Sequence, residues 1–151
     1  MGSHVRTSMD LFGETLERGK PLYLGVLGKT ESITPLHVAD EIMNPLLSLW
    51  ERMPDKMILP DEGTSSALLN LWAERNEIEL QSLQADYFRL GRKAGFVRDA
   101  MIVKECTHLL IFLGQRSQKY EQIALREAKK GKIVYTVSPK TFELTELVYN
   151  A

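Results

Sequence analysis

The chain has a single cysteine, Cys106, among 151 residues. That excludes an internal disulfide and any zinc site built from several cysteines. Histidine is nearly as scarce. His4 falls in "MGSH", which resembles an expression-tag remnant and is set aside. His37 and His108 remain, too few for a histidine-based metal centre, so neither a metal nor a cofactor is expected. No apolar run approaches the roughly 20 residues of a membrane span. Neither sign of charge dominates: the formal net charge is −1. Nothing in that balance calls for a nucleic acid or a membrane as partner. With apolar residues at 44% and charged residues at 26%, the composition is that of an ordinary globular domain. The chain reads as soluble and cytoplasmic, and long enough to bury one full core.

What is present alternates. Residues 1–20 hold the tag remnant and a short helix, with Met9, Phe12 and Leu16 at helical spacing. "LYLGVLG" reads as a strand ending at Gly28. "SITPLHVADEIMNPLLSLWERM" reads as a helix capped by Thr34, with Pro35 at its first position. Its buried stripe is expected at Val38, Ile42, Leu46, Leu49 and Met53, with a kink or break at Pro45. "KMILP" and "IELQSL" are the next strands, with a helix over "SALLNLWAERN" between them. "GFVRDAMIVKEC" is a helix offering Val97, Ala100, Met101 and Val103 for packing. "HLLIFL" has the unbroken apolar character of a central parallel strand covered on both faces. "KYEQIALREAKKG" turns Tyr120, Ile123, Ala124 and Ala128 inward and ends at Gly131, and "KIVYTV" is the fifth strand.

Strand and helix alternate with no hairpin signal. That order predicts an α/β fold: a Rossmann-like, doubly wound parallel sheet of about five strands with helices on both faces. Residues 21–138 form this domain. Residues 139–151 are a C-terminal helix or extended arm, and periodicity does not choose between them.

In such a sheet, ligands sit beyond the carboxyl ends of the strands. The rule selects Gly28-Lys29-Thr30, then Pro60 to Ser66, then Asp86-Tyr87, then Gly114 to Gln118, and Ser138. These loops are rich in glycines, small hydroxyl residues and cations. Gly63 lets the backbone approach an anion, while Thr64, Ser65 and Ser66 add hydroxyls at a helix N-terminus. Any one of them can equally be a simple helix cap; taken together the loops favour a phosphate- or nucleotide-shaped ligand. Arg98 is open between a ligand contact and an ion pair with Asp99, and Arg116 lies in the fourth loop. Arg92, Lys93 and Lys104 read as a solvated face. Asp61 and Glu62 can take ribose hydroxyls, act as general acid or base, or be simple polar loop residues, the last being slightly the plainer reading for Glu62. Asp86 can accept from a ribose or a base edge. Tyr87 and Phe88 can stack on a base or close the core rim. Trp50 and Trp72 belong to the core or a dimer interface, and Cys106 is an inert buried thiol.

Three stretches carry a family resemblance. "GVLGKTES" resembles a first strand with its glycine-containing loop. "PDEGTSSALLNLWAERNEI" resembles a Gly-Gly-Ala-x-Gly-Ala-Asp loop and its helix. "GRKAGFVRDAMIVKECTHLLIFLGQRSQKYEQIALREAKKGKIVYTV" resembles an Ala-Gly-x-x-Arg-Asn-x-x-Met helix, a strand, a Gly-x-Ser turn and an Ala-Lys-Lys-x-Gly-Lys ending. From about Tyr23 to Val137 the chain thus resembles the SLOG superfamily of LOG-like, Rossmann-type domains, in its YspA/YpsA-related branch. The resemblance implies a nucleotide-binding parallel sheet and a homodimer or larger homo-oligomer. It aligns Gly28 and Lys29 with the first loop, and Thr64, Ser65 and Ser66 with the second. Arg98 and Asp99 match the Arg-Asn pair, and Gly114 and Ser117 match the fourth turn.

The departures are specific. Pro60 and Asp61 stand where the branch carries paired glycines, and Ser66 replaces its aspartate. The LOG enzymes carry a catalytic glutamate three residues after the loop threonine; here that position is Ala67. The leading expectation is therefore a protein that binds a nucleotide-derived small molecule, such as an ADP-ribose-like signal, as a sensor or sequestering protein. The alternative is a phosphoribohydrolase or N-glycosidase acting on nucleoside monophosphates or NAD-related substrates, with Asp61, Glu62 and Arg98 as its working residues. Single-stranded DNA binding ranks third, because the near-neutral chain lacks the basic surface it needs.

Overall fold

The computed structural model describes residues 20–114 and 118–148. The expected N-terminal helix, and Arg116 and Ser117 of the fourth loop, lie outside the described residues. Six strands form one sheet in the order β3-β2-β1-β4-β5-β6. They are β1 (Tyr23–Leu27), β2 (Lys56–Pro60), β3 (Glu79–Leu83), β4 (His108–Phe112), β5 (Ile133–Val137) and β6 (Leu144–Leu147). The first five pair in parallel and β6 runs antiparallel to β5. The α/β, Rossmann-like class is as the sequence indicates; the described residues form six strands where the sequence predicts about five.

Side chains alternate between the two faces with the period of two that a strand imposes. Leu24, Val26, Met57, Leu59, Leu110 and Phe112 enter one core with Val38, Ile42, Leu46 and Leu69. Leu27, Ile58, Leu109, Ile111 and Val134 enter the other, with Ile102, Ala124 and Ala128. Helices α1 (Asn44–Trp50) and α2 (Thr64–Arg75) therefore cover one face. Helices α4 (Ala94–Glu105) and α5 (Lys119–Lys129) cover the other, and a single turn, α3 (Tyr87–Leu90), precedes α4. The described residues contain no helix long and apolar enough to cross a membrane. Trp50 and Trp72 pack against the first core, and Trp50 Nε1 donates to Tyr135 Oη at 2.9 Å.

Two local expectations are corrected. Before α1 the chain makes a π-helical stretch, His37–Met43, in which the Asn44 N–H donates to the Ala39 carbonyl five residues back. The wider turn delivers Pro45 into the first turn of α1, where its missing N–H is harmless. It also rotates the later positions, and α1 ends at Glu51. Leu49 is thus 57% exposed and Met53 43% exposed, rather than part of the stripe. Thr34 does cap the start: its Oγ1 accepts from the His37 N–H at 3.3 Å.

Helix α4 likewise turns an unexpected face inward. Ala94, Arg98, Asp99 and Ile102 are buried, while Val97, Ala100 and Met101 face out and Val103 is half-buried. A charged pair can be buried here because each group has partners there.

Of the two alternatives for the C-terminal segment, the described residues take the extended one, as strand β6 paired with β5. The Ser138 N–H donates to the Glu143 carbonyl and the Phe142 N–H to that of Ser138. Phe142 is buried in the first core against His37, and this anchors the turn that sends β6 back along β5.

Candidate functional site

Strand order reverses between β1 and β4, so the loops after these strands separate into a crevice. The loop after β1 opens at Gly28, whose φ of +73° falls in the left-handed region. A Cβ there would lie 2.2 Å from the Phe112 carbonyl oxygen of β4, so only glycine lets the two strand ends stay this close. Gly63, at φ +92°, starts α2, and a Cβ on it would meet Lys29 Cβ at 2.9 Å. The two loops are thereby packed on each other.

Hydroxyls lock them further. Thr30 N–H donates to Ser65 Oγ at 3.0 Å, and Ser65 N–H donates back to the Thr30 carbonyl at 3.2 Å. Ser65 is fully buried, so its hydroxyl joins the loops and does not face solvent. Thr64 Oγ1 donates to Glu31 Oε1 at 2.6 Å. Ser66 is 4% exposed, and its Oγ has no hydrogen-bond partner among the described residues.

The centre of the crevice is a network of charge. Arg98, 8% exposed, donates through Nη1 to Glu62 and through Nε to Asp99 Oδ1 at 3.2 Å. Glu62 also accepts from Tyr87 Oη at 3.0 Å and faces Lys29 Nζ at 3.5 Å. Asp99 accepts from Tyr120 Oη at 2.9 Å, with Lys119 Nζ at 4.0 Å. The hydrogen bond from Arg98 holds the Glu62 carboxyl below the usual glutamate value, although partial burial pulls the other way; Tyr87 and Lys29 assist. Burial works against the Arg98 charge, but Glu62 and Asp99 more than offset it and raise its pKa. Burial, and then the charge of Asp99, push the Tyr120 phenol well above its ordinary range. The network is thus ionised at Glu62 and Arg98 and protonated at Tyr120.

This network borders a pocket of about 130 Å³ lined by Gly28, Lys29, Pro60, Glu62, Arg98 and Tyr120, with Phe112 and Gly114 at its wall. On the other side of the Pro60–Gly63 loop is a second pocket, of about 220 Å³. Asp61 faces that side, where Gln84 Nε2 donates to its Oδ2 at 3.0 Å. Glu62 thus borders both pockets, while Asp61 borders only the second. Asp86 does not enter either lining: its Oδ1 accepts from the Arg89 N–H and caps α3.

Of the residues singled out from sequence, the structure brings Gly28, Lys29, Glu62, Arg98 and Gly114 around one pocket, with Asp99 directly behind Arg98. Thr30, Ser65 and Thr64 instead join loop to loop. Sequence reasoning assigned Tyr120 to core packing and missed its place at the pocket. Its position one residue into α5, directly after the fourth loop, is the signal that could have found it. Among the described residues no group of histidine, cysteine, aspartate or glutamate side chains has the arrangement of a metal site. Cys106 is buried, and burial raises its thiol pKa. Comparison with family models, with curated proteins and with solved structures gave no match to this chain.

Proposed function

We propose that the protein binds a phosphorylated, nucleotide-derived small molecule at the carboxyl ends of its parallel strands, and holds it as a sensor or sequestering protein. The observation that carries this reading is the pocket at the strand-order reversal, where Lys29 and Arg98 meet beside the start of α2. A guanidinium and an ammonium in one small pocket suit an anion. Arg98 is already held by two carboxylates, so an incoming phosphate competes with Glu62 for it. Calorimetry and thermal shift against a panel of nucleotides, together with mass spectrometry of any co-purifying small molecule, test the proposal. Stabilisation by at least one phosphorylated member is expected. No stabilisation by any of them refutes it.

A second reading, hydrolysis of an N-glycosidic bond, is favoured by one feature. Glu62 stands in the pocket as an ionised carboxylate oriented by Arg98, as a group facing a developing oxocarbenium would need to be. Its depressed pKa makes it a weak proton acceptor and a poor proton donor, which favours binding over turnover. Glu62→Gln separates the two. It releases Arg98 and tightens phosphate binding if the protein only binds, and abolishes release of free base if it cuts.

A further inference from the structure

The second pocket is chemically unlike the first. Asp61, Glu62, Gly63, Ser66, Asn70 and Ser82 are in its lining, which has no cationic side chain among the described residues. Two carboxylates and no cationic side chain in its lining make it less suited to phosphate than the first pocket. It is built of acceptors and of groups that both give and take hydrogen bonds.

Ser66 is the residue that points to a ligand. It sits in the first turn of α2, almost wholly buried, and its hydroxyl is unpartnered among the described residues. Leaving such a group unsatisfied costs about 1–3 kcal/mol, and buried hydroxyls without partners are rare enough to call for a missing one. Asn70, one turn further along α2, and Ser82, on β3, face the same space. Asp61 also lines it, and among the described residues its carboxylate accepts from Gln84, leaving further lone pairs for a ligand.

We propose that this pocket is a subsite for the vicinal hydroxyls of a sugar, taken as hydrogen bonds to Asp61, Ser66 and Asn70. A volume of about 220 Å³ admits a pentose ring and falls short of a whole nucleotide. The two pockets share Pro60 and Glu62 in their linings, and the proposal has one ligand engage both. The phosphate end lies at Lys29 and Arg98, and the sugar hydroxyls lie at Asp61. Rejection of deoxy sugars follows, because a site built to pair hydroxyls leaves its own buried polar groups orphaned when a hydroxyl is absent.

This inference rests on the proposed binding function, and the test separates the two. Backbone amide shifts of the full chain are followed by NMR during titration with inorganic phosphate, 2-deoxyribose 5-phosphate and ribose 5-phosphate. Ribose 5-phosphate is expected to shift amides near Lys29 and Arg98 and also those of Asp61, Ser66 and Asn70. It should bind about tenfold more tightly than the deoxy sugar, the worth of one well-made hydrogen bond. Ser66→Ala and Asn70→Leu should each bring ribose 5-phosphate down to the deoxy level and leave inorganic phosphate unchanged. Ser66→Ala should keep or raise the melting temperature, since it deletes an orphaned hydroxyl. Equal binding of the two sugars, or shifts confined to Lys29 and Arg98, overturns the sugar subsite and leaves the phosphate reading standing. Absence of shifts with all three probes overturns both.

Discussion

Arg98 on helix α4 donates to Glu62 in the loop after β2, joining two elements 36 residues apart across the crevice. The contact ties helix α4, which belongs to the second core, to the loop that starts α2, which belongs to the first. It is both a structural tie and a wall of the pocket.

Arg98→Ala leaves Asp99 buried and Glu62 partly buried without their shared guanidinium, with only the more distant Lys119 and Lys29 ammonium groups to face them. Removing one partner of a fully buried pair costs about 3–5 kcal/mol. Glu62 keeps a third of its side chain in water, so about 2–4 kcal/mol is expected here. Urea unfolding at neutral pH measures it. A loss below about 1 kcal/mol would mean the pair contributes no more than an exposed one.

The same pair makes stability depend on acid. The folded-state pKa of Glu62 lies below its ordinary value of 4.5. Its contribution is complete above that value and disappears as pH falls through the lower, folded-state pKa. The stability gap between the wild type and Glu62→Gln should therefore be constant at neutral pH and close in the acid range. Unfolding curves of both proteins over that range provide the check; a gap that does not change with pH is the contrary result.

Gly28 and Gly95 should respond oppositely to alanine. Gly28→Ala meets the Phe112 carbonyl at a positive φ and should lose at least about 2 kcal/mol. Gly95 lies in the first turn of α4, where an added methyl would have nothing within 4 Å and φ is not positive. Gly95→Ala should gain about 0.5 kcal/mol from helix propensity. Thermal melts of the two variants beside the wild type decide the signs.

The Cys106 thiol is buried against Ile102 and Gly25, with its pKa raised by burial. A thiol-reactive dye should label the native protein far more slowly than the urea-unfolded chain. Comparable rates in the two states would show that the junction of α4 and β1 opens readily.

Much of the architecture is written locally. The runs "LYLGVLG", "KMILP" and "HLLIFL" are too apolar and too short to be anything but buried strands between helices, and they became β1, β2 and β4. The loops after them carried the glycines and charged residues that line the crevice. Its chemistry was partly legible, since Lys29, Glu62, Arg98 and Gly114 all stood out before their meeting was known. Which of them touch was not legible. Arg98 and Glu62 look like separate surface charges in one dimension, and Asp61 and Glu62 look like equivalent neighbours.

Sequence by itself determined the alternation of strand and helix, the parallel sheet and the set of loops gathered at its carboxyl end. Each of these follows from short-range periodicity, chain length and turn chemistry. Tertiary structure decided the rest. The π-helical turn before Pro45 changed which side of α1 faces the core, because one extra residue per turn rotates everything after it. Phe142 drew the last strand back against β5, because a buried ring fixed a turn that no local hairpin signal marks. The Pro60–Gly63 loop put Glu62 in the lining of both pockets and Asp61 only in the one without a cationic side chain. Adjacent side chains on a turn point apart, and each took the partners that long-range packing put within reach.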